Sequence, residues 1–163
     1  LKKKADLGHY LQTITDILQA TEDIGGNLNS YFDLANGVVT DKKELSADQY
    51  AQIQESFSQG IEVYQQNMAK LEKISAPVAI IGPHKQLVKA YRDFVAGCEK
   101  MHASIDYSGQ KIDGPAFKES EQEQSDAMDH VNAHIGRIMQ RVGQVRVDKK
   151  AFSRNRRENA FFV

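Results

Sequence analysis

Apolar residues recur along this chain at helical spacing, in four separate stretches. In the first, Leu7, Leu11, Ile14, Leu18, Leu28, Phe32 and Ala35 fall on alternating steps of four and three, with Thr21 and Gly25 filling the gap. Tyr10, Ile17, Ile24 and Tyr31 widen the same face. A stripe this broad, sustained from Leu7 to Ala35, predicts a long helix that buries one side. Asn36-Gly37 then predicts a left-handed stop. The second stretch has its own start signal. Ser46 with Gln49 three residues on fits a capping box, and Leu45 with Tyr50 fits the hydrophobic staple beside it. Its stripe runs Tyr50, Ile53, Phe57, Ile61, Tyr64, Met68 and Leu71, and Pro77 ends it by pushing the preceding residue out of helical geometry.

Gly82-Pro83 opens the third helix, whose stripe is Leu87, Tyr91, Phe94, Val95, Cys98, Met101 and Ile105, closed by Ser108-Gly109. Asp113-Gly114-Pro115 opens the fourth, with Phe117, Met128, Val131, Ile135, Ile138 and Val142. The predicted helices span about 5–36, 46–75, 83–108 and 114–145. At ~1.5 Å per residue they are rods of about 40–45 Å. Connections this short favour antiparallel neighbours, so the predicted fold is an all-α, up-down-up-down antiparallel four-helix bundle over residues 1–145. No alternating pattern of useful length predicts a strand.

The pattern decays after Val145. Residues 146–163 carry a local charge of +4, leaving −5 for the rest of the chain, and end in Phe161-Phe162-Val163. Two readings stand for this basic extension: a continuation of helix four packed on the bundle, or a basic tail that seeks an acidic lipid or protein surface. Nucleic acid fits less well, because the phenylalanines cluster at the tip rather than interleave with the basic residues. The net charge of −1 over 163 residues gives no global field for it either. With 40% apolar and 26% charged residues the chain has globular composition and the size of one domain. No apolar run approaches the ~20 residues of a membrane span. The chain opens on Leu1 followed by Lys2, Lys3 and Lys4, which fits either a processed product or the scar of a removed tag.

Candidate chemistry is sparse. Cys98 is the one cysteine, which excludes an internal disulfide and a cysteine-built metal site. Its place in an apolar stripe predicts a packed thiol. A di-iron site wants two Glu-x-x-His tetrads, and only Glu99-Lys100-Met101-His102 is present. His130 and His134 fall about 120° and 80° from the stripe centre of helix four on a 100° wheel, toward solvent or the stripe's edge. No haem-attachment motif, nucleophile elbow or phosphate loop occurs. No cofactor is implied. His102 differs from the other histidines: it projects near the stripe centre of helix three. At its level lie Gln124 and Glu121 on helix four and Gly25 on helix one, where small residues predict space. Three readings stay open for this layer. It is a self-satisfied polar layer fixing helix register, a frayed end admitting water, or a small-molecule pocket.

Around the second connection, Leu71, Ile74, Ala76-Pro77, His84, Leu87-Val88 and Ala90-Tyr91, with the Gln-rich fourth helix, resemble helical-bundle domains of uncharacterised cell-envelope proteins and lipoproteins of Gram-positive bacteria. The resemblance covers roughly residues 45–140 and implies an extracytoplasmic, membrane-tethered binding or interaction domain; the chain carries no lipid-attachment cysteine. The sequence thus predicts a non-enzymatic interaction module with a protein partner or cell-envelope component. Peripheral membrane contact would run through Lys2, Lys3 and Lys4 or the basic tail, and exposed Phe161-Phe162 leaves self-association open. The alternative is a small-ligand or metal sensor using His102, Gln124, Glu121 and Gly25.

Overall fold

A computed structural model describes residues 6–143. The expectations for Lys2, Lys3 and Lys4, for residues 144–145 of helix four and for the extension 146–163 lie outside the described residues. The fold is all-α, with four long helices: α1 (Leu7–Asp41), α2 (Ala47–Lys73), α3 (Ile81–Ala103) and α4 (Gly114–Val142). A single 3-10 turn (Val78–Ile80) precedes α3, and two short strands, β1 (Ile105–Asp106) and β2 (Lys111–Ile112), join α3 to α4.

Each start has a local cause. Asp6 accepts from the His9 N–H at 3.3 Å and begins α1. The Ser46–Gln49 capping box is closed in both directions, at 3.1 and 2.9 Å. Asp113 accepts from the Ala116 N–H at 3.1 Å, with Pro115 in the first turn of α4. No side chain caps α3; the 3-10 turn leads into it, and Pro83 sits in its first turn.

Two predicted ends are corrected. Asn36-Gly37 does not stop α1, which continues through Val38 and Val39 to Asp41. Gly37 is buried inside the helix, and the left-handed residue is Lys42, φ 53°, whose N–H caps the Gly37 carbonyl. The apolar side keeps its burial through Val39, so helix persists until the polar run that starts at Asp41. Likewise α3 ends at Ala103 rather than 108. The Ser104 hydroxyl donates to the Met101 carbonyl at 2.6 Å, and the chain then turns back on itself. Ile105 pairs with Ile112, and Asp106 with Lys111, in an antiparallel ribbon. Ser108-Gly109 lies in its turn, where the Gly109 N–H donates to Asp106 at 2.9 Å. The ribbon was not predicted, since two-residue strands are too short for alternation to register.

One continuous core joins all four helices. Tyr10, Ile14, Ile53, Phe57, Tyr64, Phe94, Phe117 and Val131 are fully buried within it. Between α1 and α4, Phe32 stacks on Phe117 with centroids 5.7 Å apart. Between α2 and α3, Tyr64 meets Phe94 edge-on at 5.1 Å. Glycine lets two pairs of helices approach closely. A Cβ at Gly60 of α2 would run into Leu28 and Ile24 of α1, and one at Gly97 of α3 would lie 2.7 Å from Gln124 of α4.

Candidate functional site

The residues predicted to gather around His102 are divided among separate contacts. His102 is half-buried and bonds through Nδ1 to the Tyr107 hydroxyl at 2.7 Å and through Nε2 to the Ser58 hydroxyl at 3.3 Å. It therefore ties the β1–β2 turn to α2. Gln124 lies on the opposite side of α3, wholly buried, where its amide N–H donates to the Gly97 carbonyl at 3.0 Å. Its Oε1 has no hydrogen-bond partner. Glu121 pairs with Lys118 at 3.3 Å, and Lys118 reaches Asn36 of α1 at 2.7 Å. Gly25 is buried in α1 and takes no part in these bonds. At two other glycines, Gly60 and Gly97, the neighbouring space is filled by Leu28 and Gln124.

Two polar groups in the core escaped the sequence reading. Tyr91 of α3, its hydroxyl buried, meets the Thr21 hydroxyl of α1 at 2.8 Å and accepts from the Asn67 amide of α2 at 3.2 Å. Burial pushes its phenol up to about 12, against the pull of those two bonds. Thr21 in turn donates to the Ile17 carbonyl at 2.7 Å, so Tyr91 supplies the proton between the two hydroxyls. Near the start of α3, His84 is 7% exposed and its Nδ1 lies 2.8 Å from the Tyr10 hydroxyl. Burial lowers the His84 pKa, and a hydrogen bond to the Leu71 backbone opposes the shift. That bond has the sense of an imidazole N–H given to a carbonyl, so Nδ1 is the acceptor and Tyr10 the donor. Both knots link three helices. Tyr91 and Tyr10 sit on apolar stripes and read as core from sequence; their hydroxyl partners come from distant segments.

The Ser58–His102–Tyr107 row has the connectivity of a nucleophile, a base and an orienting group, so its protons decide what it can do. Burial lowers the His102 pKa and raises that of Tyr107 well above 10, so both are neutral at pH 7. An imidazole nitrogen accepts far better than a phenol oxygen, so Tyr107 donates to Nδ1. Nε2 then carries the hydrogen and donates to Ser58, leaving no base to take the serine proton. In this tautomer the row ties the ribbon turn to α2. Cys98 is buried as predicted, its thiol pushed up by burial and then by the Glu99 charge, which makes it inert. His130 is exposed and His134 half-buried at 3.2 Å from Arg137. Among the described residues no group of three or more His, Cys, Asp or Glu is arranged to hold a metal, and no helix is long and apolar enough to cross a membrane.

The surface offers more. Two open clefts flank Gln110, a residue held at φ 54° in the ribbon turn. One, of about 460 Å³, is lined by Val38, Lys42, Lys43, Glu44, Leu45 and Tyr50. The other, of about 490 Å³, lies between the ribbon (Ile105–Ser108) and Ala47, Ala51 and Gln54, which share one face of α2. No protein family, curated protein or solved structure matches the chain. The envelope resemblance therefore rests on its own residues, of which Leu71, His84, Leu87, Ala90 and Tyr91 are all buried in the core.

Proposed function

We propose that the chain is an antiparallel, up-down-up-down bundle that serves as a non-enzymatic interaction module. Its partner would be a protein or cell-envelope component, met outside the cytoplasmic membrane. The topology is supported by the order of contacts. Along α3 and α4, Lys100 meets Glu119 and Glu123, Gly97 meets Gln124, and Gln86 meets Arg137, one rising as the other falls. Along α2 and α3, Ser58 meets His102 and Glu72 meets Arg92. Along α1 and α4, Phe32 meets Phe117 and Val39 approaches Gly114. Contacts of α1 with α3 instead rise together, Tyr10 with His84 and Thr21 with Tyr91.

The observation that carries the functional reading is that the two polar knots in the core bond internally. Tyr10 with His84 and Thr21 with Tyr91 and Asn67 bond internally, which leaves recognition to the outside. The paired clefts around Gln110 are the best-shaped surface for it, since side chains there come from α1, α2 and the ribbon turn together. The envelope setting draws its support from the resemblance alone. A ligand or metal sensor on His102 has less behind it, because His102 and Gln124 bond to different partners on opposite sides of α3. A photo-crosslinking amino acid at Gln54, in the cleft, tests the reading against one at Gln65, on exposed α2 outside it. A discrete adduct from Gln54 alone supports the module. A small molecule or metal that raises Tm in the native chain but not in His102→Ala overturns it in favour of the sensor.

A further inference from the structure

The two ends of the molecule differ in charge, and the difference is sharper than the net charge of −1 suggests. Residues 93–129, the far half of α3, the ribbon and most of α4, carry −6. Residues 64–92, through the α2–α3 turn, carry +4, and residues 130–163 carry +6. Among the described residues, contacts bring the first of these stretches to the same end as the last turns of α4: Arg137 meets Gln86 at 3.4 Å, and Arg141 donates to the Ala79 carbonyl at 3.3 Å. The start of α1 joins them through Tyr10 and His84. The acids at this end include Asp6, which caps α1, Glu72, which pairs with Arg92 at 3.1 Å, and Asp93, which pairs with Lys89 at 3.1 Å.

At this basic end the molecule exposes apolar side chains. Val78 is 88% exposed, and Ile81 and Leu7 are each 39% exposed. Val78 is held out by its neighbours: Ile80, 2% exposed, anchors the 3-10 turn in the core, and Arg141 fastens Ala79. A protruding valine on an anchored turn, with Ile81 beside it, Arg141 bonded to the turn and Lys85 one helical turn further on, suits shallow insertion at the boundary of headgroups and acyl chains. Three apolar side chains are too few for the core of a stable protein interface, which buries about 800 Å² on each side. A lipid surface asks for no such area and no shape match.

We propose that the α2–α3 turn docks on an anionic lipid surface, with Val78 and Ile81 as anchors and Lys85, Arg137 and Arg141 on the side of the headgroups. This leaves the acidic, clefted end pointing away from the bilayer. The docking stands independently of the interaction module, because vesicle binding and crosslinking at Gln54 read opposite ends.

The test is flotation of the full 163-residue chain with vesicles of phosphatidylcholine alone or with 30% phosphatidylglycerol, at low and high salt. Each basic residue near such a surface is worth roughly fivefold in partitioning. Binding is expected only with phosphatidylglycerol and should weaken with salt. Val78→Asp with Ile81→Asp should lower it about tenfold or more, and Lys85→Glu at least fivefold, while Lys111→Glu at the far end leaves it within twofold. Val78→Asp and Ile81→Asp change exposed positions, and an unchanged Tm confirms that they fold. No binding to anionic vesicles overturns the proposal, as does binding that the Val78 and Ile81 changes leave intact. Binding to an acidic polypeptide such as polyglutamate, with none to vesicles, overturns it in favour of a protein partner.

Discussion

Replacing Gly97 with alanine should destabilise the protein, although helix propensity alone predicts the reverse. In a helix interior alanine is favoured over glycine by ~1 kcal/mol. At Gly97 the new methyl would lie 2.7 Å from Cγ of Gln124, and 3.3 Å from the backbone N of the same residue. The side chain could swing away; the backbone of α4 moves only if the helix is pushed out. Overpacking of this kind costs roughly 1–3 kcal/mol. The Gln124 amide would also lose its bond to the Gly97 carbonyl, worth about 1 kcal/mol net. Set against the propensity gain, the balance is a loss of about 1–3 kcal/mol, or roughly 3–10 °C in Tm for a domain of this size. Gly26 and Gly136 are the internal controls: each lies within a helix and has nothing within 4 Å of an added Cβ. Gly26→Ala and Gly136→Ala should each stabilise by about 0.5–1 kcal/mol. Urea unfolding monitored by circular dichroism measures all three. If Gly97→Ala stabilises as much as Gly136→Ala, the close approach of α3 and α4 at this level is refuted.

Tyr91→Phe removes the hydroxyl shared by Thr21 and Asn67, leaves the buried Asn67 amide without that acceptor, and should cost about 1–3 kcal/mol in urea unfolding. Adding Asn67→Leu should recover part of the loss; an additive further loss would contradict the shared bond. Burial lowers the pKa of His84 and His102, so the unfolded chain takes up protons below about pH 6.5 before the folded one does. Stability should be level above that pH and fall as the pH drops toward the folded pKa values, whereas a Tm that rises on acidification would reverse the sign. The Cys98 thiol should resist a thiol-reactive disulfide reagent in the native state and react at a rate set by unfolding. Ser58 should not be labelled by a fluorophosphonate, and labelling that disappears in His102→Ala would show that Nε2 is free to act as a base.

Much of the fold was legible because the period of 3.6 is hard to counterfeit over thirty residues. Four helices and the Ser46–Gln49 box follow from spacing and from one local hydrogen-bond exchange. The boundaries that failed share a cause. Gly37 and Ser108-Gly109 are local stop signals, and burial of Val39 and pairing of Ile105 with Ile112 outweighed them. The polar interior was legible only in part. Gln124 and Ser120 stand where the stripe wants apolar residues, and both are buried. His102 was placed near the stripe centre by an ideal wheel, but α3 ends one residue later, and its ring turns to Tyr107 in a ribbon that the periodicity does not register. The Thr21–Tyr91–Asn67 and Tyr10–His84 contacts join residues 24 to 74 positions apart. No single-sequence pattern marks such pairs, since each tyrosine does its apolar duty on the stripe regardless.

Which helix ends lie together decides whether the basic, apolar-tipped end is separate from the clefted one. Site-directed cross-linking with a short bis-maleimide tests it directly. Cys98 can remain, being buried. Glu72→Cys with Arg92→Cys, and Gln86→Cys with Arg137→Cys, should each give a rapid intramolecular product, while Glu72→Cys with Glu123→Cys should not. A fast product from Glu72 and Glu123, with none from the other two pairs, would contradict the arrangement.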